Sequence, residues 1–365
     1  MIPGLATTPA TQQKEKTMLD IVTTTPRAIE NCRNRGGDMW STHHDISDVS
    51  LYERFAKFRP VPIEALTSKP DLTPSGEVIR DIVEPQRMKD FSALQNVATG
   101  NVIDVTPFRG SYTLKPHDLL MAEQAQIVLR SELPLGNVEV VDRIFEEGVR
   151  VHRTIYFHDL AHALGTTTTG EKDVVRCRLD VFNSVDKSWA FQIFSGAYRD
   201  LCRNTLVFGG EKAYHQKKKH VGSMSTEAMT EKAVMGLDMW ANQSEQMRLW
   251  QDRKLTEGQF VDILKTTLCK KESKAAKHEG LAESVAVNER RLNYLLERFA
   301  EERKELGETL WAGYNALTHW ATHLPDAREK GRDEKKRFDR NNAVRQLISG
   351  EAWQSLETKK AEEYA

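Results

Sequence analysis

Between residues 176 and 219, cationic side chains and an aromatic ring recur in a pattern suited to gripping phosphate. Arg176 and Arg178 stand two apart in a strand-like run. Tyr198 is followed by Arg199 and Arg203, and Lys217, Lys218 and Lys219 are consecutive, near Lys212 and Tyr214. Guanidinium and ammonium groups neutralise backbone phosphates while a flat ring stacks on an unpaired base, so this set has the composition of a single-strand binder. The segment NSVDKS adds Lys187 to the hydroxyl and amide groups of Asn183, Ser184, Asp186 and Ser188. Such a loop can present donors to a phosphate. It reads equally as a turn, because Asn, Ser and Asp side chains bond nearby backbone N–H groups. The arginines likewise have a plain reading: they cover an exposed sheet face in weak pairs with Asp180, Asp186 and Asp200.

Other chemistries find less support. His158 and His162 have metal-ligand spacing only on a helix, lack the glutamate of HExxH, and fall where a strand is expected to end. His319 and His323 are four apart on a more credible helix but have no third ligand, and His43, His44 and Asp45 form a third polar cluster. Cys32, Cys177, Cys202 and Cys269 are scattered, with no CxxC pair, which argues for a reducing compartment and against a disulfide framework. The sequence contains no GxxxxGK[ST] loop, no GxGxxG after a strand and no GxSxG elbow. It supports no catalytic residue, metal site or cofactor.

The elements that must position these groups follow from periodicity. The runs NVEVVDRIF, VRVHRTIYF, DVVRCRLDVF and SWAFQIFSGAYRDL alternate with period two. In the third, Cys177, Leu179 and Val181 share one face while Arg176, Arg178 and Asp180 share the other. In the fourth, Trp189, Phe191 and Ile193 are expected on one face. This predicts an antiparallel meander with one face buried and one wet. Upstream, KPHDLLMAEQAQIVLRSELP predicts a helix entered at Pro116 and stopped before Pro134. From about residue 224 the spacing turns helical, through Met229, Ala233, Leu237, Trp240, Ser244 and Met247. Thr256 and Gln259 form a capping box ahead of Phe260, Ile263, Leu264 and Leu268. A narrow stripe of Leu281, Val285, Leu292, Leu295 and Phe299 over residues 281–306 suits a bundle helix or a self-association seam. A last amphipathic stretch runs from Thr309 to His323.

The expected fold class is therefore α+β: an antiparallel β-meander over about residues 136–208 packed with a mainly helical C-terminal half. Residues 1–16 read as a disordered tail and 17–100 as an N-terminal extension. Residues 101–224 form the antiparallel sheet core, and 225–360 a helical region closing on it. Within the extension, Pro60, Pro62, Pro70, Pro74 and Pro85 predict a surface-hugging linker, since proline at that density opposes helix and central strand. The 365 residues, 39% hydrophobic and 29% charged, suffice for a core without disulfide or metal staples. A net charge of −1 makes local patches, not global charge, the only electrostatic signal for nucleic acid. No membrane helix and no signal-peptide core is visible, so a cytoplasmic location is expected.

The block RLDVFNSVDKSWAFQIFSGAYRDLCRNTLVFGG resembles the hallmark of the domain of unknown function 932 family. The matching positions are Asn183, Ser184, Asp186, Ser188, Tyr198, Arg199, Cys202 and Asn204, with Thr205 where that family usually has glycine. TLWAGYNALTHWATH followed by NNAVRQLISGEAW is similar to its closing segment, and the resemblance spans residues 105–360. It implies a protein of bacteriophages, plasmids and other mobile elements, acting in the bacterial host cell, with no agreed active site to carry over.

Three functional expectations follow. The first is a phage-type protein binding single-stranded nucleic acid, in annealing or replication and as a homo-oligomer; its meander-to-helix order resembles phage annealing proteins in topology alone. The second is a non-catalytic interaction or host-takeover factor using the 281–306 stripe. The third is an enzyme of unrecognised class with a polar site around Asn183, Asp186, Arg199 and Asn204. Polar residues gathered in a closed site rather than spread on an open face would favour the third.

Overall fold

The computed structural model describes residues 37–358 except 44, 49, 108–113, 132–135, 201–204, 208–214, 220–224, 239, 271–286 and 324–331. The chain opens with strand β1 (Gly37–His43) and a single helical turn, α1 (Ser50–Glu53). Strands β2 (Phe58–Leu72), β3 (Val78–Asn96) and β4 (Val102–Pro107) follow, then helix α2 (His117–Arg130). The expected meander comes next as β5 (Val138–Phe145), β6 (Arg150–Thr166), β7 (Lys172–Ser184) and β8 (Phe191–Arg199). Short strands β9 (Thr205–Val207) and β10 (His215–Lys218) complete the β elements. The helical half contains α3 (Thr226–Asp238), α4 (Trp240–Gln251), α5 (Glu257–Thr266), α6 (Glu289–Leu306), α7 (Leu310–His323), α8 (Arg332–Ile348) and α9 (Glu351–Thr358).

The main antiparallel sheet runs β1-β5-β6-β7-β8-β10, with β9 also pairing β8. One face carries the principal core. Val140, Val151, Ile155, Cys177, Leu179, Val181, Phe191 and Ile193 pack there with residues of α2 and the C-terminal helices. Each fully buried side chain of this size contributes roughly 1.5–3 kcal/mol. The helix-spaced residues Met229, Ala233, Leu237, Trp240, Ser244 and Met247 are all buried, as their periodicity predicts. The capping box is present: Thr256 Oγ1 accepts from the Gln259 N–H at 3.3 Å and Gln259 Oε1 accepts from the Thr256 N–H at 2.9 Å. Leu292, Leu295 and Phe299 of α6 are buried within the molecule, with the Phe299 ring 4.7 Å from that of Phe260. That part of the stripe is spent on the fold's own core rather than on a partner; Leu281 and Val285 lie outside the described residues.

Three features depart from expectation. The second face of the sheet is not wet: every residue of β5 and β8 is buried. Trp189 is not with Phe191 and Ile193 but on the opposite side, clustered with Phe145, Phe182 and Phe194. And the proline-rich segment is a paired ribbon, β2 against β3, rather than a linker. Proline is tolerated there because, among the described residues, β2 is an edge strand and β3 at Pro85 has β2 as its sole neighbour, its pairing with β4 covering only Phe91 to Gln95. Pro74 falls in the connecting turn, where Gly76 adopts φ +86°. The ribbon's root packs on the main sheet through Leu94, Val149 and Val185.

Candidate functional site

Cross-strand register assembles the second sheet face into rows. Arg143, His152, Phe182, Gln192 and Lys217 are successive partners across β5, β6, β7, β8 and β10. The next row is Val141, Thr154, Asp180 and Phe194, and the one beyond is Glu139, Tyr156, Arg178 and Gly196. Directly paired residues project to the same face, so polar groups far apart in sequence converge. Glu139, Arg143, His152, Thr154, His158, Arg178, Asp180, Gln192 and Tyr198 are each less than a tenth exposed.

Asp180 is the hub of this face. Its Oδ1 accepts from Thr154 Oγ1 at 2.9 Å and from His152 Nε2 at 2.8 Å, and its Oδ2 lies 2.7 Å from Arg178 Nη2. A carboxylate only accepts, so the His152 proton sits on Nε2 in the neutral ring, which leaves Nδ1 facing Arg143 Nη1 at 3.5 Å. The imidazole stacks on Phe182 at 4.0 Å. Burial alone would raise the Asp180 pKa, but Arg178, His152 and Thr154 outweigh it and bring it down to about 2. Burial lowers the Arg178 pKa, Asp180 and Tyr156 oppose that, and the guanidiniums of Arg337 and Arg143 add to the lowering. Arg143 and Arg337 thus act on the guanidinium that Asp180 holds.

A second polar group lies at the far end of the same face. His158 Nε2 is 3.0 Å from Glu139 Oε2, and His158 Nδ1 is 3.0 Å from Tyr198 Oη. His158 sits at a bulge: β6 loses register with β7 between Phe157 and Ala161. The strand therefore does not end at His158 as expected but runs on to Thr166, and His158 and His162 lie on no helix. The bulge is pinned at its base, where the Asn137 N–H donates to Asp159 Oδ2 at 2.8 Å and the His158 N–H to the Asn137 carbonyl at 3.0 Å. Bulges commonly redirect a side chain in this way.

The arginines expected on an open surface are held by carboxylates. Arg199, 1% exposed, places Nε 2.6 Å from Asp173 Oδ1, and Asp173 Oδ2 accepts from Trp311 Nε1 at 2.8 Å. Arg178 is bound to Asp180, and Arg176 is paired with Asp200 at 3.0 Å while also donating to the His158 carbonyl. Tyr198 is buried with its hydroxyl tied to His158, so it offers no open stacking platform.

The segment Asn183 to Ser188 is built as a turn. Asn183 Nδ2 donates to the Lys115 carbonyl at 3.2 Å and sits 2.9 Å from His117 Nδ1, anchoring the start of α2. Ser184 Oγ accepts from the Trp189 N–H and donates to the Trp189 carbonyl, both at 3.0 Å. Asp186 accepts from the Ser188 N–H and from Arg150, while Lys187 is exposed with φ +64°. Lys217 and Lys219 are exposed too. Because Lys218 pairs with Phe191, the first residue of β8, the end of β10 lies at the same end of the sheet as this turn. Arg203, Cys202 and Asn204 lie outside the described residues, as do Lys212 and Tyr214.

Of the other histidine groupings, His44 and the side chain of His43 lie outside the described residues, and His319 is committed to structure. His319 places Nδ1 3.1 Å from Tyr294 Oη and Nε2 3.3 Å from Arg298, and burial with Arg298 holds its pKa down at about 4. No group of three or more His, Cys, Asp or Glu side chains able to hold a metal occurs among the described residues. No described helix is long and apolar enough to cross a membrane.

Glu139, Arg143, His152 and Thr154 were not singled out from the sequence, and His158 only for the metal-ligand spacing it would have with His162 on a helix. The signal was there, as polar residues at alternate positions of apolar runs, but an alternating strand does not say what covers its polar face. No curated protein and no solved structure matches the chain. The family described as Domain of unknown function (DUF932) matches residues 138–344, from the first residue of β5 into α8, and the chain belongs to that family.

Proposed function

We propose that this protein binds single-stranded nucleic acid through backbone phosphates, at the end of the main sheet that carries both Lys187 and the lysines at the end of β10. The observation that carries this reading is the register of β10 on β8. It sets Lys217, Lys218 and Lys219 at the same end of the sheet as the turn bearing Lys187, and Lys187, Lys217 and Lys219 are solvent-exposed. Lys217 also ends the row that leads inward to Gln192 and His152. The contact surface is thus the exposed edge that carries these lysines, not Arg178 and Arg199, which are buried.

The test is fluorescence anisotropy with a labelled single-stranded oligonucleotide across a salt series. Single strands lose affinity with a slope of about −0.7 per phosphate contact on a log–log plot. Replacing Lys187, Lys217 and Lys219 together by alanine should flatten that slope by about 2 without unfolding the protein. No retention of the oligonucleotide at low salt, or an unchanged slope in the triple variant, refutes the reading.

A second reading, a protein-interaction factor, is favoured by one feature of the ribbon. Leu66, Leu72, Val78 and Val83 are 50–76% exposed on one of its faces, while the Lys69–Glu84 and Arg80–Asp71 pairs occupy the other. An uncovered apolar stripe of this kind marks a contact surface. Light scattering distinguishes the two: a defined assembly that forms without nucleic acid and is lost on Leu66→Ser/Val83→Ser supports interaction.

A further inference from the structure

The distal half of the ribbon is covered on neither face: no described side chain from Glu64 to Arg87 is buried. A two-stranded ribbon is marginal in water without a further strand or layer. Its two outer edges differ. The edge of β2 is blunted by Pro60, Pro62 and Pro70, which have no N–H to give a neighbour. β3 has β4 beside it only from Phe91 to Gln95, and no described strand pairs with its outer edge from Val78 to Lys89. The first part of that edge, VIRDIVE, contains no proline and is rich in β-branched residues. An edge of this kind is a template for another strand.

The charges on this edge fit a second copy of the chain. Directly opposed residues project to the same face, so an antiparallel pair related by a two-fold axis must centre on one residue facing its own copy. Centred on Ile82, the pairing sets Arg80 opposite the second copy's Glu84, and Glu84 opposite the second copy's Arg80. Both charged residues are exposed, and Ile82 is half-buried. Within the ribbon Asp71 is the partner of Arg80, and Thr67 stands across from Glu84. A row through both copies then reads Asp71, Arg80, Glu84, Thr67, with charge alternating over its first three members. Neighbouring registers lack this fit. A centre one residue to either side sets Arg80 or Glu84 against Ile82, and a centre two residues away sets Arg80 against Arg80 or Glu84 against Glu84. We propose that β3 pairs antiparallel, about Ile82, with β3 of a second copy of this chain, so that two ribbons form one four-stranded sheet; this rests on the reading of the ribbon as a contact surface. On the other face Val83 lies one position from the axis, so the pairing joins the apolar stripes of the two copies.

The test is light scattering of the full chain across a concentration series, without nucleic acid. The wild-type protein should reach twice the chain mass. Arg80→Glu and Glu84→Arg should each set like charges opposite one another on both sides of the axis and raise the dimer dissociation constant by at least about tenfold. Both side chains are exposed and their pairs within the ribbon are weak, so each variant should keep the wild-type circular dichroism. Combining the two reversals in one chain restores opposite charges across the axis, and so does mixing the two single variants. Either should recover the dimer, which a merely structural effect of the substitutions would not do. Assembly that is lost in Leu66→Ser/Val83→Ser but indifferent to the reversals, or not recovered by the swap, overturns the pairing about Ile82 and leaves the ribbon standing as a contact surface. A chain that stays monomeric at every concentration overturns the pairing with a second copy. Assembly that ignores every ribbon substitution overturns both.

Discussion

Replacing Arg199 by alanine separates a structural guanidinium from a phosphate-binding one. Arg199 is 1% exposed, and its Nε is 2.6 Å from Asp173 Oδ1, with Glu302 Oε2 at 3.6 Å from its Nη1. Asp173 is fully buried and keeps only the Trp311 indole, at 2.8 Å, once Arg199 is gone. Removing one partner of a buried pair leaves an uncompensated charge and costs about 3–5 kcal/mol. An exposed phosphate-binding arginine would cost less than about 0.5 kcal/mol. Urea unfolding followed by far-UV circular dichroism reads the difference. With a slope of about 3 kcal/mol/M, the midpoint should fall by about 1–1.7 M. The double variant Arg199→Met/Asp173→Asn removes both charges and should recover most of the loss, giving a coupling energy above roughly 2 kcal/mol. A loss under about 1 kcal/mol, or additive single effects, would show that Arg199 does not stabilise the sheet through Asp173.

Acid should destabilise the protein in two separable windows. Asp180 has a folded pKa of about 2, below its ordinary 3.8. The unfolded chain therefore binds the proton first, and the stability this supplies, about 2 kcal/mol, is full above pH 4 and lost as pH falls toward 2. Asp180→Asn should flatten that part of a stability-against-pH curve. His319, held at about 4 against an ordinary 6.5, resists protonation in the fold. Its contribution is full above pH 6.5 and declines as pH falls to 4, and His319→Gln should remove that slope in the same titration. Gly313→Ala should lower the melting temperature, because the added Cβ would stand 2.4 Å from Leu255 Cδ2, with Phe260 and Trp353 behind it. Overpacking of this kind costs about 1–3 kcal/mol, and an unchanged melting temperature would contradict the packing described for α7.

What the sequence determined by itself was local. Period two in the runs from Asn137 to Leu201 set the strands and the alternation within them, because successive residues of a strand must project to opposite faces. Three-four spacing from Met229 to Met247, and the Thr256–Gln259 capping box, set helices and a helix start, because these depend on neighbours within a turn. The turn Asn183 to Ser188 was legible for the same reason. What only the tertiary structure decided was what each face meets. Arg178 and Asp180 alternate with Leu179 and Cys177 whether their side is bathed in water or covered, and the sequence pattern is the same in both cases. Pairing of β5 through β10 brought Glu139 to His158 and Arg143 to His152 on that covered face, and set the lysines after Gln216 at the same end of the sheet as Lys187. The proline-rich ribbon was illegible for a related reason: proline forbids a strand only where both neighbours need its missing N–H, and how many neighbours a strand has is a property of the sheet.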